Sequence, residues 1–167
     1  EDRVDDRARP VRVARGVDQC SGQRIEQLAR ALDDQGLSVW YDHWVLVPGE
    51  LTQTARAEGL NEARTCVVCV GKHTPRGWFQ QELQRALARQ ADEPDFRVIP
   101  MLIPGARETH LGGFLGLRTW VDLRCGLGDG PEQAAAFARL VAGIEGKPPG
   151  RPAHAKRARR KAPPRRE

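Results

Sequence analysis

The chain has 167 residues, of which 40% are hydrophobic and 29% charged, with a formal net charge of +5. That length supports one domain with a real core and is too short for two comfortable ones. Residues 151–167 hold eight Lys/Arg and one Glu, a net of +7, which leaves −2 for residues 1–150, so the basic balance belongs to the tail and not to the folded body.

The first 20 residues, "EDRVDDRARPVRVARGVDQC", offer only Val11, Val13 and Val17 as strand material. They read as a divergent segment with a degenerate first strand, because three valines among arginines make a poor central strand. A chain that opens on Glu1 and not Met also reads as a processed product or a fragment. "SGQRIEQLARALDDQG" carries Ile25, Leu28, Ala29 and Leu32 at the spacing of a helix with one buried stripe. Ser21 stands where an N-cap would, and Gly36 where a glycine ends such a helix. "LSVWY" is then a strand, and residues 51–63 form a second helix.

"TCVVCVG" is a short continuous apolar run, as expected of a strand buried on both faces. "PRGWFQQELQRALARQ" is helical, with Thr74 as its cap and Pro75 in its first turn. "FRVIPMLIPG" is another buried strand, in which Pro100 points to a place near the sheet's edge or a bulge. "RTWVDLR" supplies a last strand and "PEQAAAFARLVAGIEG" a last helix. Strands that alternate with helices in this way imply a parallel sheet covered on both sides, an α/β open-sheet domain over residues 21–146. Residues 147–167, almost without large apolar side chains, cannot offset the entropy of ordering and are expected to be a disordered basic tail.

Six segments, in their order and spacing, resemble a TIR (Toll/interleukin-1 receptor) domain of the bacterial type. They are "GLSVWYDHWVLVPGE", "GLNEARTCVVCVG", "GWFQQELQRAL", "FRVIPMLIPG", "TWVDLRCGLGDG" and "FARLVAGIEGKPPG", and they span about Arg24 to Gly150. The resemblance implies a flavodoxin-like parallel sheet of about five strands, with "GLSVWYDHWVLVPGE" as the second strand and the so-called BB loop. The family opens with an apolar strand that ends in a phenylalanine-, serine- and tyrosine-like segment. Here "RPVRVARGVDQCSGQ" takes its place, so the first strand is poorly matched.

Ligands of open α/β sheets bind outside the carboxyl ends of the strands. TIR domains similar to this one hydrolyse NAD, cleaving the nicotinamide–ribose bond. The resemblance assigns their catalytic glutamate to Glu82 and the aromatic one turn before it to Trp78. A single carboxylate suits this chemistry, because nicotinamide is already cationic in NAD and leaves as a neutral base without an acid to protonate it. What remains is to stabilise an oxocarbenium-like ribose, which the carboxylate of Glu82 would do. Trp44 or Trp78 would stack on the nicotinamide or adenine ring, and Asp42 would either contact ribose or cap the loop. Judged by its own segment alone, Glu82 reads first as a solvated helix residue that pairs with Arg85 or Arg89.

His43, Trp44, Val45, Leu46, Val47, Pro48 and Gly49 form an apolar loop, and exposed apolar loops mark contact sites. The resemblance implies docking on other TIR domains, with head-to-tail homo-oligomers through residues 42–49; the other reading is that Val45 and Leu46 fold back onto the domain. Cys66 and Cys69 form a C-x-x-C inside a strand, which sends them to opposite faces as core residues, not a redox pair. Cys20 and Cys125 are isolated, so no zinc spacing exists, and no metal is expected. "GLGDG" lacks the Lys-Ser/Thr of a phosphate loop.

No apolar run approaches the ~20 residues that span a bilayer, the N-terminus does not resemble a signal peptide, and sparse cysteines fit a reduced cytoplasmic setting. The tail has the charge for weak contacts with anionic partners. The expected function is therefore NAD hydrolysis in signalling or defence, with NAD as substrate and no cofactor. The rival is a non-catalytic TIR interaction module. A third reading, a truncated or frame-shifted product, rests on the poor first strand.

Overall fold

The computed structural model describes residues 10–15, 22–49, 52–72 and 78–150. Ser21, Thr74, Pro75 and the tail from 151 onward lie outside the described residues. Five parallel strands form one sheet: β1 (Val11–Arg15), β2 (Val39–Trp40), β3 (Thr65–Val70), β4 (Arg97–Leu102) and β5 (Val121–Asp122), in the order β2-β1-β3-β4-β5. The connections are helical: α1 (Gly22–Asp34), α2 (Asp42–Val45), α3 (Thr52–Glu62), α4 (Trp78–Asp92), a 3₁₀ turn (Glu108–Leu111), α5 (Gly112–Gly116) and α6 (Pro131–Ile144).

The arginine-flanked "VRVAR" takes an interior position, between β2 and β3. Val11 and Arg12 pair with Val39 and Trp40 of β2, and all five residues of β1 pair with Thr65 to Cys69 of β3. Alternation along the strand explains how so polar a segment fits. Val11 and Val13 join the cluster under α1 and α6, with Ile25, Leu28, Leu32, Leu140 and Ile144. Ala14 joins the opposite cluster, under α3, α4 and α5, with Leu60, Ala86 and Leu115. Arg12 shares the face of Ala14.

The same alternation separates the two cysteines, Cys66 into the α3–α4 cluster and Cys69 into the α1–α6 cluster. Burial pushes both thiols up to about 12. The apolar stripe of α1 is buried as its spacing predicts. That helix ends where Gly36, at φ +76°, donates its N–H to the Asp33 carbonyl while Leu37 donates to Leu32. This paired closure needs a left-handed residue, which glycine adopts without strain.

Pro100 lies in an interior strand and still leaves no ladder bond unmade. Ile103 donates its N–H to Val70 of β3, whereas the Leu102 carbonyl accepts from Leu123 on the β5 side. Pro100, two residues before Leu102, therefore faces the β5 side, and β5 begins only opposite Met101. The missing N–H falls where no strand waits for it.

Candidate functional site

Residues 36–50 do not run from strand to loop directly. β2 lasts two residues, Tyr41 is buried, and Asp42 opens the single helical turn α2. Trp40 lies on the α3 face of the sheet. Its indole fills the space above Gly59 of α3, where a Cβ would run into the ring. Arg12 stands beside Trp40 on the next strand, and its guanidinium lies over the ring, 3.8 Å from the centroid.

Glu82 comes down onto the same spot from α4. It stands one turn before Ala86, which is fully buried, so it faces the sheet. Its Oε1 accepts a 2.6 Å hydrogen bond from Arg12 Nε and pairs with Arg12 Nη2. Arg12 Nη2 also reaches Asp42 Oδ1 at 3.3 Å, and the other oxygen of Asp42 pairs with Arg56 of α3 at 2.7 Å. The result is a chain of alternating charges, Glu82–Arg12–Asp42–Arg56, that ties β1, α2, α3 and α4 together.

Arg12 is wholly inaccessible, with Glu82 and Asp42 at 11% and 15% side-chain exposure. Burying a guanidinium costs several kcal/mol, and only close, hydrogen-bonded anions offset it. Here two carboxylates and an aromatic face do so. Nη1 of Arg12 is buried without a hydrogen-bond partner. The charge of Glu82 also reaches Cys66, where it adds to burial in raising the thiol, while Arg12 and Arg89 oppose it.

The expected site residues thus divide. Glu82 and Asp42 meet through Arg12. Trp44 does not join them: it is exposed, packs edge-to-face on Tyr41 at 5.5 Å, and has the Arg30 guanidinium of α1 at 5.7 Å. His43 stacks on Tyr41 at 5.4 Å. Val45 and Val47 are exposed, Leu46 is half-buried, and Pro48 and Gly49 close the loop at the surface. Trp78 begins α4, and its side chain lies outside the described residues.

Glu82 pairs with neither Arg85 nor Arg89 in the bonds formed here. Arg89 instead donates to the Leu60 and Ala63 carbonyls at the end of α3, pairs with Glu93 and covers Phe96. Sequence reasoning missed Arg12, Trp40, Arg56 and Gly59. The available signal was alternation: an arginine between two inward-facing valines must bury its charge, and so requires acids nearby.

Residues 20–141 match the family model described as TIR domain. The chain belongs to the TIR domain family. No curated protein matches it. Among solved structures, this TIR domain is similar to the TIR domain of the Toll-related receptor TRR-2 from Hydra magnipapillata. That match has a TM-score of 0.62 and 16% identity, over 81% of this chain and 97% of that one. It is also similar to the TIR domains of the activated Roq1 resistosome recognising the effector XopQ, with a TM-score of 0.49 and 16% identity over 81% of this chain and 72% of that one. The five-stranded parallel sheet of this TIR domain has the flavodoxin-like arrangement of its family. Among the described residues no helix is long and apolar enough to cross a membrane, and no group of three His, Cys, Asp or Glu is placed to hold a metal ion.

Proposed function

We propose that this TIR domain is a signalling or defence module that binds other TIR domains, copies of itself included, through the loop 42–49. One observation carries the reading. Among the described residues the exposed large apolar side chains are Trp44, Val45, Val47 and Leu117, and three of the four belong to this loop. A contiguous apolar projection on a charged domain marks a contact surface. Sedimentation velocity over a concentration series tests it. The wild-type chain should associate, and Trp44→Ala combined with Val45→Asp should remain monomeric with an unchanged circular dichroism spectrum. Equal association by both proteins would refute docking through the loop.

A second reading, NAD hydrolysis, is supported by the convergence of Glu82 and Asp42 on Arg12, with Asp42 two residues past the end of β2, since open α/β sheets bind ligands outside the carboxyl ends of their strands. In this reading the bond between ribose C1′ and the pyridinium nitrogen breaks, and its electron pair leaves with neutral nicotinamide. Water adds to C1′ and gives up a proton, yielding an ADP-ribose product. The Glu82 carboxylate stabilises the positive charge that develops on the ribose. Nicotinamide release by the purified chain, lost in Glu82→Gln, is the expected result. Release that survives this substitution would remove Glu82 from the chemistry.

A further inference from the structure

The sheet runs out early at one corner and leaves a cavity there. β5 ends at Asp122. Leu123 then donates its N–H to the Leu102 carbonyl, and the chain turns at Gly126, whose N–H bonds back to Leu123. Gly126 makes that turn at φ +78°, a left-handed value that glycine adopts without strain. Between this corner and α1 lies a cavity of about 160 Å³. Its walls are Ile25 and Leu28 of α1, Met101 of β4 with Ile103 just past it, and Leu123 and Leu127 beyond β5.

These six side chains belong to, or pack against, the cluster under α1 and α6. Glu82 and Arg12 stand on the other face of the sheet, with the cluster under α3 and α4, so the cavity is separate from their carboxylate site. An apolar cavity of about 150 Å³ stays dry and holds one benzene ring. The space here has that size and that kind of wall.

The polar part of the lining has one sign. Arg24 and Gln27 of α1 stand at the cavity, both exposed. Among the described residues no Asp or Glu lines it, and Arg24 has no ion pair or hydrogen-bonded partner. Glu26, two residues on, is engaged with Arg30 at 2.8 Å. A guanidinium without an anion, beside a dry space of ring size, is complementary to a ligand with an apolar body and one negative charge.

From this geometry we infer that the cavity is a binding site for a small apolar carboxylate, a single six-membered ring carrying one carboxyl group. The ring packs against Met101, whose thioether makes a favourable sulfur–ring contact, and the carboxylate meets Arg24. Gln27 offers an amide N–H to the same group. The inference goes beyond both readings above, since it needs neither the loop 42–49 nor Glu82.

Met101 is the sole methionine of the sequence and is buried in the cavity wall. The full chain labelled with ¹³C-methyl methionine therefore reports on the cavity through one signal. Sodium benzoate should move that signal saturably, by the ring current of the bound probe. Benzamide, which has the ring without the charge, should bind about tenfold more weakly, and so should benzoate on Arg24→Gln, the scale of one contact to a charged group. Arg24→Gln alters an exposed residue and should leave the melting temperature unchanged. Inorganic phosphate, which has the charge without the ring, should leave the signal in place.

A signal that benzoate does not move would overturn the site. Equal binding of benzoate to wild type and to Arg24→Gln would overturn the anionic assignment, and an equal shift with phosphate would overturn the role of the apolar walls. A signal that moves with protein concentration alone would give the cavity to a second copy of the chain and overturn the small-molecule site.

Discussion

Removing the side chain of Glu82 is expected to damage the fold, not only an activity, and the size of the loss follows from what Arg12 would be left with. Glu82→Ala strips the wholly buried guanidinium of its closest anion and leaves Asp42 at 3.3 Å as its remaining carboxylate. Breaking a buried pair from one side costs about 3–5 kcal/mol. For a domain of this size, at about 3 °C per kcal/mol, the melting temperature should fall by roughly 10–15 °C. Glu93→Ala is the control: that carboxylate also pairs with an arginine on α4, but its side chain is 51% exposed. An exposed helical pair is worth about 0.3–0.5 kcal/mol, so the control should fall by no more than about 2 °C. Differential scanning calorimetry on both variants decides the matter. The double variant Arg12→Met with Glu82→Leu should recover part of the loss, since an apolar pair leaves no buried charge behind. A Glu82→Ala chain that melts within about 2 °C of wild type would refute the placement of Arg12 between its two carboxylates. The same reasoning makes Glu82→Gln, which keeps a hydrogen-bond acceptor, the better substitution for activity measurements.

Gly59→Ala tests the packing around Trp40 by sign. In an open helix the change stabilises by about 0.8–1 kcal/mol, whereas here the added methyl meets the indole that carries Arg12, so a loss of about 1–3 kcal/mol is expected in urea denaturation. Alkylation of the folded chain at pH 8 should modify the exposed Cys125 and spare Cys66 and Cys69, whose buried thiols sit near 12; peptide mass spectrometry showing Cys66 labelled as fast as Cys125 would contradict this. Hydrogen bonds from Arg124 hold the carboxyl of Asp122 below its ordinary value. A depressed carboxyl stabilises the fold above the unfolded value, near 4, and loses that contribution as pH falls through the lowered one. Asp122→Asn should therefore flatten the acid side of the stability curve slightly and leave the neutral range unshifted by pH, as thermal melts at stepped pH would register.

The fold was largely legible because its signals are local. The buried stripe of α1, the continuous apolar run of β3 and the closing Gly36 each specify their element within a few residues. β1 was harder to read because its polar residue is accommodated by groups far along the chain: Glu82 stands 70 residues away and Asp42 30. An arginine that looks unfit for an interior strand is fit once two acids meet it there, and no window of sequence contains all three. In the segment 42–49 Trp44, Val45 and Val47 are exposed while Leu46 is half-buried, and α2 sends Trp44 toward α1 and Asp42 toward α3, which an extended reading of the segment does not foresee. Trp40 was hidden for a similar reason: its place depends on the absent Cβ of Gly59 on another element.

The two ends of the sheet bear on how such a domain can assemble. β2 and β5 are outermost, and each contributes only two residues to the ladder. An incoming strand gains affinity from a long row of free backbone donors and acceptors, and edges this short offer almost none. Partners are left to grip side chains. An assembly built that way can be dissolved, or retargeted, by a single substitution on α2, whereas one built by extending the sheet would scarcely register it.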